Sequence, residues 1–287
     1  MWNPFNRNTI SNSSASKRSL QLITQKGMPF AYVEAYKALR TNLNFLSGSG
    51  DVHAFVVTST VPEEAKSNVS VNLALALTES GKKVVLVDCD LRKPVLHRYL
   101  KAGHNLKGVS NVLSRQVALS DALVDLKDIP NLTFLPAGTT PPNPSELLSQ
   151  PQMQEMVDTL RGSYDFVILD APPISMVTDA AVIGRIVDGA LFVVRSKYAS
   201  TDAVKTALEK LQDAGVKVLG AVLTRYDAKK SLKRSDYGYG YYYYNSNYSY
   251  GPPPDGISES AAKKSGLTSK KQHNGKEKHS VHTEDEA

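Results

Sequence analysis

The stretch that most restricts the fold of this chain is residues 84–94, VVLVDCDLRKP. Four consecutive apolar residues, Val84, Val85, Leu86 and Val87, suit a strand covered on both faces, as in a parallel sheet, and are too few for a helix. Asp88, Asp90 and Arg92 therefore emerge at the carboxyl edge of the sheet, where ligands bind in open α/β folds. An isolated Asp-x-Asp can equally be a solvated strand end, so the neighbouring segments decide between the two readings.

Those segments alternate. Further strands are predicted at residues 53–58, 132–136, 166–169, 190–195 and 216–224, and helices at 31–46, 67–80, 109–113, 119–126, 153–160, 178–185 and 201–214. Pro94 is placed to open a helix within residues 91–101, and Gly81 to close the one before it. Strands alternating with helices predict an α/β fold with a doubly wound, mostly parallel sheet of the P-loop NTPase type. In the first helix Val33, Tyr36, Leu39, Leu43 and Leu46 form an apolar stripe. Glu34, Lys37 and Arg40 form a second stripe, which suits either pairing within the helix or a subunit contact.

Between the first strand and its helix runs Ser59-Thr-Val-Pro-Glu-Glu-Ala-Lys-Ser67. Strand, loop, Lys-Ser, helix is the layout of a P-loop, whose backbone N–H groups cradle phosphates, whose lysine reaches the β and γ phosphates and whose hydroxyl binds Mg²⁺. On this reading Glu63, Glu64, Ala65, Lys66, Ser67 and Asn68, with Arg92, hold the nucleotide. Against G-x-x-x-x-G-K-[ST], Thr60 stands at the first glycine and Ala65 at the second. A β-carbon there costs about 1–2 kcal/mol if a left-handed backbone is required. Asp170 ends the apolar run 166–169 ahead of Ala171-Pro172-Pro173, the Walker B arrangement that helps hold Mg²⁺. Ser67, Asp88, Asp90 and Asp170 are thus the candidate metal-site residues, and Lys66 joins the three acids as the candidate catalytic set.

The 287 residues are enough for one large domain plus tails. No apolar run approaches the roughly 20 residues of a membrane span, and the first residues lack a secretory apolar core. A single cysteine, Cys89, excludes an internal disulfide and fits a reducing cytoplasm, with Cys89 as a small core residue. Composition divides the chain into a polar arm (1–28), the nucleotide-binding domain (29–228), a basic linker with a tyrosine cluster (229–250) and a disordered tail (251–287). The net charge is +6, and the last segment is neutral, with six lysines and six acidic residues. The excess includes Arg225, Lys229, Lys230, Lys233 and Arg234, which form either a solvated face or an attraction for phosphate or a membrane surface. Tyr237, Tyr239, Tyr241, Tyr242, Tyr243, Tyr244, Tyr248 and Tyr250 lie among Gly, Ser and Asn, where no core can form. They read as a low-complexity tail, as a base-stacking platform, or as phosphoryl acceptors, and the last suits a nucleotide-binding chain best.

Together TSTVPEEAKSNVSVNLA, VVLVDCDLRKP, FVILDAPPI, PAGTTPPNPSELL and the tyrosine cluster resemble the bacterial tyrosine kinase (BY-kinase) family of capsule and exopolysaccharide synthesis, in its free-standing cytoplasmic form. The likeness spans residues 31–250. It implies an autokinase that uses ATP and Mg²⁺ to phosphorylate its tyrosine cluster between subunits. Lys66 and Ser67 would handle phosphates and metal, Asp90 and Asp170 would orient the metal and its waters, and Asp88 would touch the metal or accept the tyrosine proton. Arg92 matches the family's Walker A′ arginine, with its role open. Glu34, Lys37 and Arg40 match the oligomerisation motif, with Lys37 in place of an arginine, which weakens ring assembly. The resemblance further implies the cytoplasmic end of a membrane-anchored, co-polymerase-like activator as partner, a homo-oligomeric ring, a cognate tyrosine phosphatase and no nucleic acid. It also implies a cytoplasmic location, peripheral to the membrane through the activator. Ala65 departs from the family's glycine and predicts impaired transfer. Two other readings are a nucleotide-binding scaffold (a pseudokinase) and a partition-type ATPase. The latter carries an extra lysine where Val61 stands and has no tyrosine cluster.

Overall fold

The computed structural model describes residues 21–48, 52–103 and 105–226. In chain order the elements are α1 (Phe30–Gly48), β1 (Ala54–Ser59), α2 (Lys66–Thr78), β2 (Val84–Asp88), α3 (Leu96–Tyr99), α4 (Val109–Leu113), α5 (Leu119–Ala122), β3 (Val124–Asp125) and β4 (Leu132–Leu135). There follow α6 (Pro144–Leu148), α7 (Pro151–Arg161), β5 (Phe166–Asp170), α8 (Asp179–Gly184), β6 (Ala190–Arg195), α9 (Thr201–Asp213) and β7 (Val218–Thr224).

Every residue of β1, β2 and β5 is buried, as their unbroken apolar runs require in a sheet covered on both faces. The period of two divides them between two cores. Val85, Val87, Val167 and Leu169 face α7 and α8, while Val84, Leu86, Phe166 and Ile168 face the side of α1 and α2. Helix α2 is buried almost all round, because α1 covers the face it turns away from the sheet. Gly81, at φ 83°, closes that helix as its sequence suggests. Serine 200 caps α9, its Oγ accepting the Ala203 N–H at 3.2 Å.

The sheet order is β3-β4-β2-β5-β1-β6-β7, and only β3 runs antiparallel. Strand β5 lies between β1 and β2 and pairs Asp170 with both Val57 and Asp88. The loop after β1, the acids after β2 and the end of β5 therefore meet at one carboxyl edge, where strand order reverses around β1.

Three departures from the sequence reading have local causes. Only residues 96–99 of the expected 91–101 helix are helical. The Asp88 and Asp90 carboxylates accept the Leu96 and Lys93 N–H groups at 3.2 and 3.0 Å, which holds the preceding segment as a loop. The end of the expected helix 119–126 is instead the two-residue edge strand β3. Residues 21–28, assigned to the arm by composition, lie against the domain: Ile23 is buried, and its N–H donates to Asn72 Oδ1 at 2.8 Å. Among the described residues no helix is long and apolar enough to cross a membrane. The tyrosine cluster and Lys229, Lys230, Lys233 and Arg234 lie outside the described residues.

Candidate active site

The end of β1 and the start of α2 bring Lys66 over the ends of β2 and β5. Its Nζ donates to Asp90 Oδ2 at 3.1 Å, to Asp170 Oδ2 at 3.2 Å and to Ser67 Oγ at 3.3 Å. Asp170 is fully buried and further accepts Ser67 Oγ at 2.6 Å and Ser70 Oγ at 2.9 Å. Asp88, also fully buried, accepts the Asp90 N–H at 3.3 Å as well as that of Leu96. Lys66, Ser67, Asp88, Asp90 and Asp170 thus share one buried cluster, with Ser70 as a member that sequence reasoning missed. Ser70 lies one turn beyond Lys66, on the same helical face, and that spacing could have found it.

Three acids face one ammonium, and the electrostatics record the imbalance. Burial, with the neighbouring charge of Asp170, pushes the Asp88 carboxyl up to about 8 against the pull of Lys66. Burial also raises Asp170 above the usual carboxylate range. For Lys66, burial opposes the charged form, but the charges of Asp170 and Asp90 outweigh it and raise its pKa. A further cation is therefore electrostatically favoured here. Among the described residues no group of three His, Cys, Asp or Glu side chains is arranged to hold a metal by itself. Cys89 is fully buried, and burial pushes its thiol well up, as befits a core residue.

The loop is built without glycine. Ala65 has φ 72° and Glu63 has φ 70°, so two L-residues occupy left-handed backbone within three positions. Each costs about 1–2 kcal/mol relative to glycine. Sequence reasoning found the first of these positions and missed the second. Glu64, expected at the nucleotide, is instead buried beneath the loop. Its Oε2 accepts the Val61 N–H at 3.0 Å and its Oε1 the Arg195 N–H at 3.1 Å, while its carbonyl accepts Thr224 Oγ1 at 2.9 Å. The exposed Glu63 offers its carbonyl to Arg195 Nη1 at 3.4 Å, and the Arg195 guanidinium stacks over the Tyr198 ring at 4.3 Å.

Two other expected nucleotide contacts are engaged elsewhere. Asn68 Oδ1 accepts the Tyr32 and Tyr36 hydroxyls, both at 3.0 Å, and so faces α1. Arg92 donates from Nε to the fully buried Asp179 at 3.0 Å and from Nη2 to Ser145 Oγ at 2.8 Å. In the charged stripe, Lys37 pairs with Glu34 at 2.7 Å, and Arg40 Nη1 donates to the Ala76 carbonyl of α2 at 2.7 Å. Both contacts lie within one chain.

A family model described as an AAA domain matches residues 64–218, more than half of the chain. Tyrosine-protein kinase YwqD of Bacillus subtilis is 37% identical over 205 residues, which span 71% of this chain and 84% of that protein. The chain belongs to the bacterial tyrosine-kinase family. Among solved structures, the chimerical protein CapA2B2 matches this tyrosine kinase with a TM-score of 0.67 at 35% identity, covering 72% of this chain and 90% of that one. The septum site-determining protein MinD of Pyrococcus horikoshii, complexed with Mg-ADP, matches with a TM-score of 0.53 at 25% identity, over 64% of this chain and 72% of that one. The tyrosine kinase also holds a residue that its motifs did not reveal. Asp179, the first residue of α8, joins the loop after β2 to the start of α6 by binding Arg92 and Ser145, yet in sequence it reads as an ordinary helix-start acid.

Proposed function

We propose that this chain is an ATP-dependent protein-tyrosine autokinase that phosphorylates its C-terminal tyrosine cluster between subunits and thereby regulates capsule or exopolysaccharide synthesis. The observation that carries this reading is Lys66 Nζ bridging the carboxylates of Asp90 and Asp170 at 3.1 and 3.2 Å, at the mouth of a strand-loop-helix phosphate cradle. Its relative YwqD, of comparable length, is a tyrosine-protein kinase, and MinD, which shares the fold, was solved with Mg-ADP.

In this reading Lys66 and the loop N–H groups would bind the β and γ phosphates, and Ser67, Asp90 and Asp170 would hold Mg²⁺. Bound Mg²⁺ supplies charge neutralisation at the phosphates. A tyrosine oxygen forms the new P–O bond as the bond from the γ phosphorus to the bridging oxygen breaks, and ADP leaves. The phenolic proton goes to a carboxylate. Asp88, at the end of β2 and two residues before Asp90, is the candidate for that task. Acceptors are Tyr237, Tyr239, Tyr241, Tyr242, Tyr243, Tyr244, Tyr248 and Tyr250, which follow the nucleotide-binding domain of residues 29–228 in the sequence. A membrane-anchored activator would engage the chain at the inner face of the membrane, a ring would form through Glu34, Lys37 and Arg40, and a tyrosine phosphatase would reset it.

A second reading, a nucleotide-binding scaffold, draws support from the left-handed Glu63 and Ala65, where glycine would be unstrained. Incubation with Mg-ATP and mass spectrometry of residues 237–250 separates the readings. Phosphotyrosine supports the kinase, ADP release without it a partition-type ATPase, and neither the scaffold.

A further inference from the structure

Residues 59–67 contain no glycine, yet they fold as a phosphate-binding loop. The sign of φ alternates along it: positive at Glu63, negative at Glu64, positive at Ala65 and helical from Lys66. Alternation of this kind turns successive N–H groups toward one concavity and makes an anion-binding nest. Glycine adopts the positive positions freely, whereas Glu63 and Ala65 do not, so a loop of this composition left to itself relaxes away from the nest. Strained backbone persists only where its surroundings over-determine it.

Glu64 supplies that constraint. It sits between the two left-handed residues, is 1% exposed and is tied at three points. Its carboxylate takes the Val61 N–H at the front of the loop and the Arg195 N–H at the end of β6, and its carbonyl takes the Thr224 hydroxyl at the end of β7. Its carbonyl bond to Thr224 fixes the peptide plane that follows it, and the Arg195 guanidinium holds the Glu63 carbonyl of the plane that precedes it. We infer that Glu64 is the positioning residue that holds this glycine-free loop in its phosphate-binding shape, bracing it against strands β6 and β7. The inference rests on the nucleotide-binding reading above and adds to it a residue whose side chain is engaged by protein N–H groups. Without the brace, nucleotide would have to re-impose the left-handed turns at the expense of its own affinity. With glycines at 63 and 65 there would be little to re-impose.

The test is a double-mutant cycle in the full chain, titrating a fluorescent ATP analogue with Mg²⁺. Glu64→Ala should weaken binding about tenfold in the native loop, but no more than about twofold in the Glu63→Gly/Ala65→Gly background. Glu64→Gln, which keeps the volume but sets an amide donor against one of the two N–H groups, should act in the same direction, and it serves if the alanine variant fails to fold. In the nucleotide-free protein, the amides of Val61 and Arg195 should exchange faster in Glu64→Gln. Equal weakening in both backgrounds, or unaltered affinity, overturns the inference and leaves the nucleotide reading intact. If the native chain binds no nucleotide, that reading fails, and the exchange measurement alone decides: unchanged protection of Val61 and Arg195 sinks the brace.

Discussion

At position 65 the backbone turns left-handed around an alanine. Relief of the strain should therefore appear first in stability. Ala65→Gly removes about 1–2 kcal/mol of backbone strain and adds about 0.5–1 kcal/mol of unfolded-state entropy. The net gain is about 0–1.5 kcal/mol, or a rise of up to about 6 °C in Tm by calorimetry. Phosphotyrosine formation should also be faster in Ala65→Gly, because the β-carbon leaves the cradle; equal rates would show that the alanine does not impair transfer. Residue by residue, the site was legible where chemistry is written as a motif. Lys66, Ser67, Asp88, Asp90 and Asp170 are motif residues, and the fold unites them. Ser70 was within reach of its one-turn spacing from Lys66, whereas Glu64 and Asp179 act through partners 131 and 87 residues away, and no local pattern records such distances.

Elements were legible wherever periodicity was strong. The buried strands and the amphipathic α7 and α9 appear within two residues of their expected limits. Among the short pieces, α4 matches its expected limits, whereas α3 and β3 do not, since they are set by contacts with residues outside them. A further tertiary device fixes the far edge of the sheet. Asp188 Oδ2 accepts the His53 and Ala54 N–H groups, both at 2.7 Å, and Arg161 Nη1 pairs with Oδ1 at 2.8 Å, so one carboxylate joins β1, β6 and α7. Burial pushes the Asp188 carboxyl up, but the Ala54 and His53 amides and the Arg161 guanidinium outweigh it and hold it below the usual carboxylate value. A depressed acid contributes stability above its unfolded pKa and loses it as pH falls through the folded value. Asp188→Asn should therefore cost about 1 kcal/mol at pH 7, allowing for solvent screening of a part-exposed pair. In urea titrations the two proteins should converge as pH drops below about 3.9.

For the whole molecule, the doubly wound architecture followed from alternating strands and helices, and the order β3-β4-β2-β5-β1-β6-β7 bears it out. That order was not itself legible, because strand neighbours are chosen by packing across the entire sheet. The proposed transfer between subunits belongs to this scale too. A Lys66→Met chain with its tail intact, mixed with an active chain lacking residues 237–250, should gain phosphotyrosine on the inactive chain's tail by mass spectrometry. Its absence would confine transfer to a single chain. Strand β5 between β1 and β2 also governs how the protein is made. Lys66 meets its buried carboxylate partner 104 residues later in the chain, so a ribosome-bound product that stops short of residue 170 holds an ammonium with an empty slot in the sheet beside it. Pairings so distant along the chain form slowly. Nucleotide can act as a folding ligand only after that middle strand has inserted, so the earlier part of synthesis must proceed without its help.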